Sequence, residues 1–166
     1  MKFRDRDAPV AHNGLIFRTY GYDHPPDSCF CDLEYAPETL YTSEEPRAVR
    51  DGLPTKHYKF YFDGGLQYAL NQDPPFKLRH EALSRDMVGV RAEELSRVVR
   101  PNDMLAELIK RDGDPLQRTC VEVIDLITDS SSLKPSDFGV FGSLAHGFHN
   151  SLFSDVDLVI YGIEEL

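Results

Sequence analysis

Asp155 and Asp157, with Gly142-Ser143 upstream of them, are the residues whose types and spacing could do chemistry. In an extended segment residues i and i+2 face the same side, so the two acids project together while Val156 and Leu158 turn toward the core. Two ionised carboxylates side by side repel unless a cation bridges them or one takes up a proton. Hard oxygen ligands on a short rigid strand suit Mg²⁺, or Mn²⁺ in its place. Gly142 permits close backbone approach, and Ser143 can cap the following turn or bond a phosphate. A helix N-terminus there adds N–H donors and partial positive charge. Ser154 orders the start of the second strand and joins Gly142 and Ser143 as a candidate nucleotide contact. Phosphate donors beside a cation site are what phosphoryl transfer needs, which is positioning plus neutralisation of developing charge.

Other residues invite chemistry less strongly. His146 and His149 flank the turn and read as surface loop histidines, with Phe148 and Phe153 packed under the loop. His24, Cys29 and Cys31 lack the usual Cys-x₂₋₄-Cys spacing and a fourth ligand, which disfavours zinc. Tyr58, Phe60 and Phe62 share one strand face and read as a buried aromatic face rather than a base-stacking platform. Asp63-Gly64-Gly65 reads as a turn. Arg79, Arg85, Arg91, Arg97 and Arg100 read as a solvated helix face.

The elements that must position these residues follow from periodicity. Asn13-Gly14 signals a hairpin turn before a strand at 15–20. Residues 30–35 alternate as a half-buried strand, and 57–62 form another, closed by a turn and a short helix over 66–71. Residues 92–99 read as a short helix broken by Pro101, after which Asn102 caps a helix running to Lys110. Asp114-Pro115 opens the next helix as cap and first residue. Its apolar face is Leu116, Cys120, Val123, Ile124 and Ile127, and it ends near Ser130. Residues 138–141 and 155–161 are the two strands around the Gly-Ser turn. The fold class is α+β. A β-rich N-terminal region spans residues 1–80, a connecting segment 81–100, and the site-bearing region 101–166.

Composition narrows the classes of function. The chain has 166 residues and a net charge of −10, which argues against a broad non-specific nucleic-acid surface. No apolar run approaches the roughly 20 residues that span a bilayer, and the N-terminus lacks a secretory apolar core. Three cysteines, an odd number, suit a reduced setting. The expectation is a cytoplasmic protein with no membrane partner.

Gly142-Ser143-x-Ala145-x-Gly147, a spacer, then Ser154-Asp155-x-Asp157-Leu158 resembles the signature of the polymerase-beta-like nucleotidyltransferase superfamily, closest to its minimal prokaryotic and archaeal members. The likeness covers Phe141 to Tyr161. It implies an α/β core in which Gly142 and Ser143 hold the triphosphate of an NTP. Asp155 and Asp157 hold divalent metal, and a nucleoside monophosphate passes to an acceptor hydroxyl. The acceptor stays open among a protein, a small molecule and an RNA end. The resemblance also implies a third carboxylate on a later strand. Only Glu164 and Glu165 follow the pair, too close in sequence to occupy that strand, so the region reads as the first part of such a core, incomplete. The alternative is a catalytically incomplete nucleotide- or metal-binding module, or a protein-interaction module. In the latter a protein partner or a second copy of the chain docks on the N-terminal region.

Overall fold

The fold is α+β. A computed structural model describes residues 1–52, 54–150 and 154–162. The chain forms two compact units, Met1–Val98 and Val99–Leu166. No helix among the described residues is long and apolar enough to cross a membrane.

The first unit is an antiparallel sheet built around one long strand. Its strands are β1 (Ala8–Ala11), β2 (Ile16–Thr19), β3 (Ser28–Pro37), β4 (Val49–Arg50), β5 (His57–Lys59), β6 (Lys77–His80), β7 (Arg85–Arg91) and β8 (Leu95–Val99), with helix α1 (Gly64–Leu70) after β5. Strand order is β4-β5-β3-β2-β1-β8, with β7 pairing β3 and β6 pairing β7. β3 serves two neighbours along one edge. Its first half pairs with β7 through Ser28–Phe30, and its second half with β5 through Tyr35–Pro37. Cys29, Cys31 and Leu33 alternate inward, and a register shift at Ile16/Phe17 against β2 moves the inward position to Ala36. Phe17, Leu15, Phe60, Phe76 and Val90 complete that core. Each such side chain contributes roughly 1.5–3 kcal/mol when buried, so this cluster, not the turns, dominates the stability of the sheet. The three cysteines are free and buried.

Several expectations change here. Residues 92–99 are not a helix. Ala92–Glu94 make a single 3-10 turn, with Glu94 Oε2 accepting from the Arg91 N–H at 2.6 Å, and the chain then runs as β8 beside β1. The Ser96 hydroxyl donates to the Val10 carbonyl at 3.0 Å across that pairing. Arg79, Arg85, Arg91 and Arg97 therefore stand on strands, not on a helix face. The segment 81–100, expected to be a connection, contains β7 and β8. The aromatic face of 57–62 also divides. Regular pairing stops at Lys59, Phe60 is buried against Tyr41 with ring centroids 4.2 Å apart, and Phe62 is fully exposed at φ 55°.

The second unit holds α2 (Pro101–Ile109), α3 (Pro115–Asp129), β9 (Phe138–Val140), α4 (Gly142–His146) and β10 (Leu158–Ile160). Pro101 begins α2 rather than breaking a helix before it, and Arg100 occupies the N-cap position. Asn102, expected as that cap, instead donates through Nδ2 to the carbonyls of Ser136 and Phe138, at 3.2 and 2.9 Å, fastening α2 to the start of β9. Asp114 caps α3 by accepting from the N–H groups of Leu116 and Gln117, while Gln117 Oε1 accepts from the Asp114 N–H. This reciprocal box and the apolar stripe through Cys120 and Ile124 account for the position of α3. The core joins Leu105, Leu108, Cys120, Ile124, Phe138, Val140, Leu144 and Ala145. Regular pairing in the last strand covers Leu158–Ile160 only, shorter than the expected 155–161.

A Cβ built on Gly65 would lie 2.1 Å from the Leu33 carbonyl oxygen, so α1 seats on β3 only because that position has no side chain. Gly65→Ala is expected to destabilise the chain by about 1–3 kcal/mol in a urea titration followed by circular dichroism. Gly64→Ala meets only Phe60 Cδ1 at 3.6 Å and should change stability by less than about 0.5 kcal/mol. Equal effects from the two would refute the close approach.

Candidate active site

Asp157 and the Gly-Ser turn are brought together by a two-stranded sheet. β9 and β10 pair antiparallel, with Leu158 opposite Val140 and Ile160 opposite Phe138. One residue beyond the regular ladder, the Phe141 N–H donates to the Asp157 carbonyl at 3.1 Å. That bond sets Asp157 beside the first residue of the turn. Val156, Leu158 and Ile160 pack against the core of the unit. Alternation therefore puts Asp155 and Asp157 on the opposite face, Asp155 exposed and Asp157 half-buried.

Gly142 has φ 65°, and a Cβ built there would lie 2.5 Å from Asp157 Oδ2. The turn thus requires glycine twice over, once for its left-handed backbone and once for the carboxylate lying against its Cα. α4 begins at this glycine and spans five residues, all buried. A helix this short acts as a turn more than as a dipole. Its C-terminal side closes through Gly147, whose N–H donates to the Leu144 carbonyl, while the Phe148 N–H donates to that of Ser143.

Ser143 and Ser154 are joined hydroxyl to hydroxyl at 3.1 Å. Ser154 Oγ also accepts from the Asn150 N–H at 2.8 Å, and the Ser154 N–H returns to the Asn150 carbonyl at 2.8 Å. Two hydroxyls that share one bond use one proton for it, which leaves the pair one O–H to donate elsewhere. An anionic oxygen at the mouth of the turn is a fitting acceptor for that donor.

His146 and His149 are not surface loop residues. His146 is buried, and its ring stacks on Phe148 with centroids 5.2 Å apart. His149 is also buried, with Nε2 on Asp114 Oδ2 at 2.5 Å. A polar loop residue can be buried in this way when a carboxylate satisfies it. The sequence signal that could have found the bond is the Asp114 helix cap, which leaves one carboxylate oxygen free for a second donor. Phe153 lies outside the described residues. At the other candidate positions, His24 uses both ring nitrogens on the backbone, Nε2 at the Gly21 carbonyl and Nδ1 at the Phe30 N–H. Cys29 and Cys31 lie in the core of the first unit.

The candidate residues Asp155, Asp157, Ser143 and Ser154 offer oxygen donors throughout, and that chemistry would suit Mg²⁺ or Mn²⁺. Among the described residues no three His, Cys, Asp or Glu side chains gather as a metal site. Glu164 and Glu165 lie outside the described residues.

Two measurements check this geometry. Gly142→Ala forces an alanine into the left-handed region, at about 1–2 kcal/mol, and also pushes on the Asp157 carboxylate. In an Asp157→Ala background only the backbone cost should remain, so an unchanged cost there would show that the contact does not exist. The second concerns acid stability. Burial pushes the Asp114 carboxyl up, but hydrogen bonds from the Gln117 N–H and His149 more than offset this and hold it below its ordinary 3.8. A carboxyl depressed by folding stabilises the fold above its unfolded value, and the contribution is lost as pH falls through the folded value. Acid titration of unfolding should therefore show stability falling below about pH 3.8 in the wild type, with a shallower fall in Asp114→Asn. The same slope in both would sink this assignment.

No family model, curated protein or solved structure matches this chain, so what it does has to be argued from these side chains.

Proposed function

We propose that the chain is a metal-dependent nucleotidyltransferase, moving a nucleoside monophosphate from an NTP to an acceptor hydroxyl with release of pyrophosphate. The observation that carries this is the packing of the Asp157 carboxylate against the Cα of Gly142, which sets one acid of the pair against the Gly-Ser turn. The resemblance of Gly142-Ser143-x-Ala145-x-Gly147 and Ser154-Asp155-x-Asp157 to the polymerase-beta-like signature supports the same reading.

In this reading Asp155 and Asp157 hold the divalent cation, Mg²⁺ or Mn²⁺. When bound, the cation lowers the pKa of an attacking oxygen and neutralises charge on the leaving phosphates. The O–H left over from the Ser143–Ser154 pair donates to a phosphate oxygen. Gly142 contacts the triphosphate through its backbone, the place of a side chain there being taken by the Asp157 carboxylate. The core-facing Val156 and Leu158 keep the two acids on their face of the strand, so their spacing does not depend on the loop alone. The acceptor is a protein, a small molecule or an RNA end, since the same site chemistry serves each.

A catalytically incomplete nucleotide or metal binder is the second reading. The observation favouring it is that, among the described residues, no three His, Cys, Asp or Glu side chains gather as a metal site. One experiment separates the two. The purified chain is incubated with each of the four NTPs and Mg²⁺ or Mn²⁺, pyrophosphate release is measured, and binding of Mg²⁺-ATP is followed by calorimetry. Asp155→Asn and Asp157→Asn should each lower release by at least about 100-fold, the scale on which a charge-stabilising group acts, with unchanged circular dichroism. Full turnover in Asp157→Asn would refute the enzymatic reading. Tight Mg²⁺-ATP binding without any pyrophosphate release would establish the binder instead.

A further inference from the structure

The loop between α4 and the acid pair has to return the chain to the right place on β9. Asn150 and Ser154 are joined by two bonds, the Asn150 N–H donating to Ser154 Oγ and the Ser154 N–H to the Asn150 carbonyl. These bonds fix Asn150 relative to Ser154 but not the place of the pair on the unit. His149, next to Asn150, provides an anchor outside the loop. Its side chain is 7% exposed, and Nε2 reaches Asp114 Oδ2 across 35 residues of sequence. The same carboxylate accepts at Oδ1 from the first turn of α3, so one side chain both caps a core helix and holds the loop. The other ring nitrogen of His149, Nδ1, is buried with no hydrogen-bond partner among the described residues. This selects the tautomer with hydrogen on Nε2, since a proton on Nδ1 would be buried without an acceptor.

We propose, on the reading of Asp155 and Asp157 as cation ligands, that the His149–Asp114 bond is the latch holding the acid-bearing segment in register, so that divalent-cation affinity is set from the N-cap of α3. His149 is a positioning residue and acts through Asn150 and Ser154. Outer groups of this kind, which orient the ligands and do not touch the metal, typically govern affinity by 10- to 100-fold. A residue that only filled space would behave differently. Leucine has similar bulk and would replace it, whereas a latch needs a donor aimed at a carboxylate.

The test is Mn²⁺ binding by the full chain, measured by electron paramagnetic resonance, together with amide hydrogen exchange. His149→Leu keeps the volume and loses the donor, and should bind Mn²⁺ about tenfold more weakly. His149→Gln offers an amide N–H to Asp114 and should recover affinity to within about threefold of wild type. Asp114→Asn keeps the helix cap but turns an amide donor toward Nε2–H, and should behave like His149→Leu. Exchange at the Asn150 and Ser154 amides should quicken in His149→Leu while Val123 and Ile124 inside α3 stay protected. A His149→Leu chain that binds Mn²⁺ as tightly as wild type, with unchanged exchange at those amides, overturns the latch and leaves the cation reading standing. A wild-type chain that binds no Mn²⁺ overturns the cation reading, and the control of affinity falls with it.

Discussion

A single Cα hydrogen separates the Gly142 turn from the Asp157 carboxylate, and the rest of the second unit is arranged around that clearance. An alanine methyl at this position would lie 2.5 Å from the carboxylate oxygen, well inside contact distance. The constraint ties two separate segments of chain together. The backbone must turn left-handed at residue 142, and the strand carrying Asp157 must pair with β9 in one register. A slip of one residue would exchange the two faces of the segment, presenting Val156 and Leu158 outward and burying both acids. The apolar alternation of Val156, Leu158 and Ile160 against the core therefore enforces the register, and the register places the acids.

The first unit shows the opposite relation between sequence and structure. Its stability comes from a core assembled out of positions far apart in the chain, with Phe3, Phe17, Phe60, Phe76 and Leu95 meeting around the inward face of β3. Forming such contacts requires closing long loops before they contribute. The outer face is held by weaker pairs. Arg18 lies 3.5 Å from Glu34 and 3.8 Å from Asp32, and Lys59 lies 3.9 Å from Glu34. Pairs of this kind on a partly exposed sheet face contribute little to stability. Their larger effect is to make a slipped register costly, because like charges directly opposite one another are unfavourable.

What could be read from the sequence depended on how local the signal was. α3 was legible because Asp114, Pro115 and Gln117 form a cap within four consecutive positions and the apolar stripe follows directly. β9 and the Gly-Ser turn were legible because a short apolar run ended in residues with one obvious backbone use. β6, β7 and β8 were not legible. Arginine and glutamate favour helix slightly when judged alone, and the β1 strand that recruits Leu95–Val99 lies some 85 residues earlier, as the 85- and 86-residue separations of the Ser96 bonds show. The aromatic run at 57–62 misled for a related reason. Phe60 is buried as the pattern requires, but Tyr58 is only half-buried and the chain turns left-handed at Phe62, and a sequence pattern carries no mark of that change. The burial of His149 was hidden because its partner lies 35 residues away and already has a sufficient role as a helix cap.

Backbone pairing and apolar packing position the segment that carries the acids, and a cation site would favour that arrangement. Two neighbouring carboxylates cannot stabilise one another, since their repulsion opposes the close spacing that a divalent cation requires. If arginines or lysines supplied the holding force, they would compete with the cation for the same oxygens and weaken the site they positioned. A strand pair, an apolar stripe and a glycine clearance impose the spacing without presenting a rival positive charge. Serine hydroxyls and the Asn150 backbone amide add polar contacts beside the turn. The His149–Asp114 bond fits the same principle. Its donor is aimed at the cap of α3, so it can restrain the loop without drawing on the charge at the site.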